Sequence, residues 1–208
     1  MKILLATHNP AKIKDYRQIL EKKGIETLTL NSLEITDKFE ENKDSFKENA
    51  FDKAKFYYNL SKMPTLAEDG GFEIDYFNGQ PGVKSRRWLG YEASDEEIIE
   101  FLKTKIKEIP EDKRTCRFTA VCCLVKSPPG ADHPLVEELE VRFAKNSIEG
   151  YLTDEYNDTY PEGFPYRAFF IEKTFNKYIM DLTSEEYQQI NHRQKNIEEI
   201  IKFLIDKG

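Results

Sequence analysis

An apolar strand, Lys2 to Thr7, runs without a linker into His8-Asn9-Pro10-Ala11-Lys12 and then into an amphipathic helix. Asn9 suits the cap position, Pro10 suits the first helical residue and Gly24 suits the helix end. Ile13, Tyr16 and Leu20 fall on one face of the helix, so the chain opens with a βα unit whose helix has an inner side. Thr7, Asn9 and Lys12 put a hydroxyl, an amide and an ammonium beside a helix N-terminus. Unpaired amides and the helix dipole favour phosphate at such a point. The alternative is a capped turn that binds nothing.

The rest of the chain continues as α/β. Glu26 to Leu30 reads as a second strand, and Ser45 with Glu48 as a capping box opening a helix with Phe46, Ala50, Ala54 and Tyr57 or Tyr58 inward. Thr65-Leu66-Ala67 reads as a strand running into Glu68-Asp69-Gly70-Gly71, taken as a sharp turn, with another strand from Phe72 to Tyr76. Ser94 to Glu97 caps a helix carrying Ile98, Phe101, Leu102 and Ile106. Thr115 to Lys126 and Glu137 to Lys145 read as long strands joined by a loop from Ser127 to Pro134. Gly150 to Gly163 reads as loop and Ala168 to Glu172 as a short strand. Thr183 with Glu186 is a further capping box, and Asn191 precedes a last helix with Ile197, Ile200, Ile201 and Leu204 inside. With no repeat and no Pro/Gly/Ser linker, residues 1–208 are expected to form one domain.

A net charge of −7 argues against a nucleic-acid backbone or an anionic membrane as main partner, though not against a small anion held by lysines or a bound metal. No apolar run is long enough to span a bilayer. Met1 to Ala6 resembles a very short signal peptide, but the run stops at Thr7-His8-Asn9 and is read as a strand. Cys116, Cys122 and Cys123 fit no disulfide framework and are read as reduced core thiols, which points to the cytoplasm.

The chemistry-bearing residues lie in separate segments. Glu68 and Asp69 are adjacent carboxylates, a pairing that invites a cation; hard oxygen donors suit Mg²⁺, and one of the pair would take a proton from water. The alternative is an acidic surface turn. Glu41, in the acidic stretch before the second helix, is a possible third ligand or simply solvated charge. Asn49 and Lys53 share a helix face, and Lys53 lies near its apolar side. His192 and Arg193 stand at a helix start, a poor place for cations unless they face an acceptor-rich ligand such as a purine edge or a phosphate. Phe164 and Tyr166 offer faces for stacking on a base, or belong to the core.

Taken in order, Thr-x-Asn-x-x-Lys, Ser-Phe-x-Glu-Asn-Ala-x-x-Lys-Ala, Ala-acid-Asp-x-Gly, Gly-x-Pro-Gly-Val-x-Ser-x-Arg, Gly-Phe-x-Tyr and His-Arg make the chain resemble the Ham1-type inosine triphosphate pyrophosphatases. The resemblance implies an elongated mixed β-sheet flanked by helices, with two lobes around a central cleft (ITPase/Maf-like). It further implies a Mg²⁺-dependent, cytoplasmic homodimer that converts inosine, deoxyinosine and xanthosine triphosphates to monophosphate and pyrophosphate. Thr7, Asn9 and Lys12 then match the phosphate-binding loop, Gly70 a substrate-binding position, and Lys53 the helix lysine reaching the phosphates. Glu41, Glu68 and Asp69 match metal positions, with Asp69 the base for the attacking water. Phe164, Tyr166, Arg167, His192 and Arg193 match the base pocket, where Arg193 would read an oxygen at the purine 6-position.

Departures from that pattern cluster. Glu68 stands for the first aspartate of the family's Ala-Asp-Asp-Ser-Gly and Gly70 for its serine. Arg167 replaces a carboxylate, Tyr187 a lysine and Asn191 a serine. The phosphate half looks kept and the base half rebuilt. The alternatives are therefore a pyrophosphatase of altered base specificity or a catalytically weakened nucleotide-binding protein.

Overall fold

Strand and helix signals resolve into an open mixed sheet with helices packed on it. The structure, a computed structural model, describes residues 1–131 and 138–205. Among these are eight strands: β1 (Lys2–Leu5), β2 (Glu26–Thr29), β3 (Thr65–Ile74), β4 (Gln80–Gly82), β5 (Thr115–Lys126), β6 (Glu140–Leu152), β7 (Phe170–Glu172) and β8 (Lys177–Tyr178). Five helices accompany them: α1 (Pro10–Glu21), α2 (Phe46–Ser61), α3 (Asp95–Lys107), α4 (Ser184–Ile190) and α5 (His192–Ile205). The strand order is β2-β1-β3-β5-β6-β7-β8, with β4 on β3. β1 runs parallel to β2 (Lys2 opposite Glu26) and to β3 (Leu4 opposite Thr65), whereas β4, β7 and β8 pair antiparallel.

The backbone contacts divide the chain into two compact units, one of residues 1–69, 120–146 and 192–208, the other of residues 70–119 and 147–191. In the first, Ile3, Leu5, Leu66, Cys122 and Leu124 of the sheet pack against Tyr16 and Leu20 of α1 and Ile197, Ile200 and Ile201 of α5. In the second, Phe72, Ile74, Cys116 and Phe170 pack with Ile98, Leu102 and Ile106 of α3. Phe72 lies 4.8 Å from the rings of both Phe118 and Tyr166. All three cysteines are buried and free, and burial pushes the Cys122 thiol up to about 12, which makes it inert near neutral pH. No helix of the described residues is long and apolar enough to cross a membrane.

Local capping signals are realised. Asn9 caps α1 with Pro10 in the first turn, and the boxes Ser94/Glu97 and Thr183/Glu186 close α3 and α4. At α2, Ser45 accepts from the Glu48 amide, but Glu48 takes the Ser45 hydroxyl (2.6 Å) rather than its amide, so the box is incomplete. β6 extends to Leu152, through residues expected to be loop, and residues 132–137 of the expected hairpin lie outside the described residues.

The main correction concerns residues 68–71. The expected turn is absent: β3 is one strand of ten residues passing straight through Glu68-Asp69-Gly70-Gly71. Gly71 is required by close approach rather than by a bend. A Cβ there would fall within contact distance of the Gly82 carbonyl and 2.5 Å from Ser85 Oγ, which itself accepts the Phe72 amide (2.9 Å). Gly71→Ala is expected to cost about 1–3 kcal/mol through this overpacking, read as a lowered urea midpoint at unchanged slope.

Candidate active site

Since β3 is continuous, its neighbouring side chains point to opposite faces of the sheet. Glu68 and Asp69 are accordingly separated into two clusters within the first unit, one against α1 and α5 and the other against α2.

Asp69 faces α2. It is 6% exposed, and its Oδ2 accepts from Asn49 Nδ2 at 2.9 Å. Asn49, buried one helical turn before Lys53, also holds both backbone groups of Lys43, accepting from its N–H (2.9 Å) and donating to its carbonyl (3.2 Å). Tyr57, from the same helix, donates to the Asp37 carbonyl (2.9 Å) and accepts the Phe39 amide (3.3 Å). Those two side chains pin the irregular segment that carries Glu41, whose carboxylate pairs with Lys53. Lys53 is 8% exposed; its stem crosses the inner face of α2 and its ammonium ends on Glu41. Burial raises the Asp69 pKa to about 6, the Glu41 charge adds to the rise, and Lys53 and the Asn49 hydrogen bond oppose it. A buried carboxylate of that pKa is poised to accept a proton near neutral pH.

Glu68 faces α1 and α5. It is 4% exposed and receives Arg193 Nε (2.8 Å) and Nη2 (3.2 Å) as a bidentate pair, the Lys12 ammonium at 3.1 Å and the Tyr16 hydroxyl. Arg193 Nη1 reaches on to Asp15 at 3.1 Å. Burial alone would raise the Glu68 pKa; Arg193 and then Lys12 reverse this and hold it well below the usual carboxylate range. Tyr16 is pushed the other way, chiefly by burial and the nearby Cys122 and Glu68.

The metal triad expected from sequence is therefore not brought together: Glu41 and Asp69 share one face, and Glu68 lies on the other. Among the described residues no group of three His, Cys, Asp or Glu is arranged to hold a metal. At the β1–α1 junction, the amides expected to await phosphate are already satisfied. Asn9 Oδ1 accepts from Ala11 (2.9 Å) and Lys12 (3.2 Å), and Thr7 Oγ1 accepts the Asn9 amide (3.1 Å). The junction's cation is Lys12 itself, turned inward to Glu68.

Residues expected at a base pocket are also placed. Tyr166 is a core residue, its ring stacked on Phe72 and its hydroxyl donating to the Ser85 carbonyl (2.6 Å). The Arg167 guanidinium lies over the Phe164 ring, 4.5 Å from its centre. Gly70 sits half-buried within β3, and His192 is buried at the start of α5, adjacent to Arg193. Asp15 was not singled out in the sequence, Tyr16 was expected only on the inner face of α1, and Asn49 was noted only as sharing a helix face with Lys53. Their signal is helical spacing, since Asn49 is four residues before Lys53, and Asp15 and Tyr16 are three and four after Lys12.

The mixed sheet thus carries two buried carboxylates on β3, Glu68 paired with Lys12 and Arg193 and Asp69 held by Asn49 beside the Glu41–Lys53 pair. The Ham1 family model matches residues 3–203, nearly the whole chain. The dITP/XTP pyrophosphatase of Bacillus subtilis (strain 168) is 35% identical over 201 residues, covering 97% of this chain and 96% of that protein. Among solved structures, the Ham1 protein of Staphylococcus aureus superposes with a TM-score of 0.79 at 27% identity over the full length of both chains. A HAM1 protein from Coxiella burnetii superposes at 0.82 with 24% identity over 99% of each, a likeness of fold. The chain belongs to the Ham1 family.

Proposed function

We propose that the protein hydrolyses purine nucleoside triphosphates of the inosine, deoxyinosine and xanthosine type to the monophosphate and pyrophosphate. The observation that carries this is the Asp69 cluster: a buried carboxylate with a pKa of about 6, oriented by Asn49 and flanked by Glu41 and Lys53. Asp69 accepts the proton of the attacking water, and Asn49 holds the carboxylate in one orientation for that transfer. Lys53 and Lys12 set a positive sign around the phosphates in a chain that is acidic overall. No covalent nucleophile is needed, because phosphoryl-type transfer depends mainly on positioning and charge neutralisation.

The donor set fits Mg²⁺. Asp69 and Glu41 are two hard carboxylates whose mutual repulsion contributes to the raised Asp69 pKa, a strain that a cation would relieve. Two protein ligands suit an ion that completes its shell with water and substrate phosphate. When bound, it would polarise the phosphate oxygens and neutralise charge on the leaving pyrophosphate.

The guanidinium stacked on Phe164 favours an acceptor-rich base edge, so Arg167 and Phe164 are the residues proposed to meet the base, and Tyr166 supports them from the core. By family likeness the whole chain is one catalytic domain, acting as a cytoplasmic homodimer, a state that light scattering reads directly. The activity is tested with the common ribonucleotides beside inosine, deoxyinosine and xanthosine triphosphates, each with Mg²⁺. The expected result is the highest kcat/KM on one of the latter three. Equal rates on all, or preference for ATP, would overturn the base assignment.

A further inference from the structure

We propose that Glu68 is a positioning residue for Lys12 and Arg193, the two cations that the family resemblance assigns to the substrate, and not a metal ligand. This rests on the pyrophosphatase reading above and deepens it.

Geometry carries the argument. Strand alternation turns Glu68 away from Asp69 and Glu41, toward α1 and α5. Every oxygen it offers is engaged: Oε1 by Lys12 (3.1 Å) and Arg193 Nη2 (3.2 Å), Oε2 by Arg193 Nε (2.8 Å) and the Tyr16 hydroxyl. A metal at Glu68 would have to displace an arginine, a lysine and a tyrosine at once. The same contacts explain the residue type. A carboxylate must extend from the β3 backbone far enough to meet the edge of a guanidinium from α5 and side chains from the first turns of α1. Glutamate has the reach, and aspartate, shorter by a methylene, would give up part of the set.

Glu68 thus joins three elements at one charge: β3, the first turn of α5 through Arg193, and the first turn of α1 through Lys12. Arg193 is held at both ends, since its remaining amino group meets Asp15 at 3.1 Å. A guanidinium fixed along its Nε edge keeps its plane and position, so less conformational freedom is lost when ligand arrives. Lys12, 22% exposed at its side chain, keeps part of its ammonium open while Glu68 sets where that ammonium sits.

The test uses the full-length protein carrying Glu68→Gln, with Glu68→Asp as the charge-conserving companion. Three readouts are needed: kcat and KM for the best triphosphate, Mn²⁺ affinity by electron paramagnetic resonance without nucleotide, and affinity for a non-hydrolysable α,β-methylene analogue by calorimetry. For Glu68→Gln we expect KM to rise about tenfold with kcat within about threefold, the pattern of lost ground-state binding. Mn²⁺ affinity should stay within about twofold, because the ligands on the other face are untouched. Glu68→Asp should recover part of the KM and of the analogue affinity. Tenfold weaker Mn²⁺ binding would make Glu68 a metal ligand and overturn the proposal. Lowered thermal stability with KM, kcat and analogue affinity unchanged would also overturn it, as a purely structural role. Should the parent protein turn over no triphosphate, the pyrophosphatase reading fails separately. Analogue affinity of the two variants then decides the positioning role, a loss supporting it and no change refuting it. If Glu68→Gln does not fold, Glu68→Asp alone carries the same three measurements.

Discussion

Asp69→Asn is expected to lower kcat by about 10²–10⁴-fold, the range for removing a positioned general base, while leaving the protein folded. Asparagine is isosteric, and its carbonyl can still accept the Asn49 amide now at 2.9 Å. The same substitution has a stability signature. Asp69 has a folded pKa of about 6 against about 3.9 for an aspartate in an unfolded chain, so the native state binds this proton more tightly than the unfolded chain does. Its stabilising contribution is complete below the unfolded value and disappears as pH rises through 6. From there upward, ionised Asp69 costs the metal-free fold up to about 3 kcal/mol, two pKa units at 1.36 kcal/mol each. Asp69→Asn removes that cost. Metal-free Tm of the variant should therefore exceed the parent's at pH 8, with the gap closing as pH falls toward 4. A gap independent of pH would show that the Asp69 carboxylate is not perturbed.

The second large effect concerns the other face. Arg193→Leu leaves the Glu68 carboxylate buried with only Lys12 and Tyr16, and is expected to cost about 3–5 kcal/mol. The loss would appear as a lowered midpoint in urea. Because Arg193 and Lys12 hold the Glu68 pKa well below its ordinary value, their contribution is present above the unfolded pKa. It is lost as pH falls through the depressed folded value, so the parent–variant gap should narrow in acid. Adding Glu68→Leu to Arg193→Leu removes the stranded charge and should recover most of the loss. A double variant no more stable than the single one would place the cost in packing around α5 rather than in the ion pair.

What was legible in the sequence was mainly local. Asn9-Pro10, Ser94 with Glu97 and Thr183 with Glu186 announce helix starts because a cap is satisfied within four residues. The inward faces of α2 and α3 follow from spacing alone, as Ala50, Ala54, Ile98 and Leu102 are fully buried. The expected turn at residues 68–71 fails because the deciding contact is distant. Gly70-Gly71 has the composition of a turn, yet Gly71 answers the approach of Gly82 and Ser85, a tertiary fact with no local trace. The expectation that Glu68 and Asp69 act on one ion depends on that turn, since adjacent carboxylates converge at a turn but diverge along a strand. Asn9 shows the converse. The cap at the β1–α1 junction forms as the spacing predicts, but the same Asn9 side chain also takes the backbone donors expected to await phosphate. Lys53 was legible as a lysine on an apolar face; its partner Glu41, in an irregular segment, became a neighbour only through Tyr57 and Asn49.

Asp69 is proposed to drive release of pyrophosphate from a nucleoside triphosphate. Phosphorus-31 NMR of deoxyinosine triphosphate with Mg²⁺ tests it directly, run in parallel for the parent and for Asp69→Asn. For the parent, monophosphate and pyrophosphate resonances are expected to grow together without orthophosphate, and for the variant the triphosphate spectrum is expected to stay unchanged. Orthophosphate with a nucleoside diphosphate, or undiminished turnover by Asp69→Asn, would contradict it.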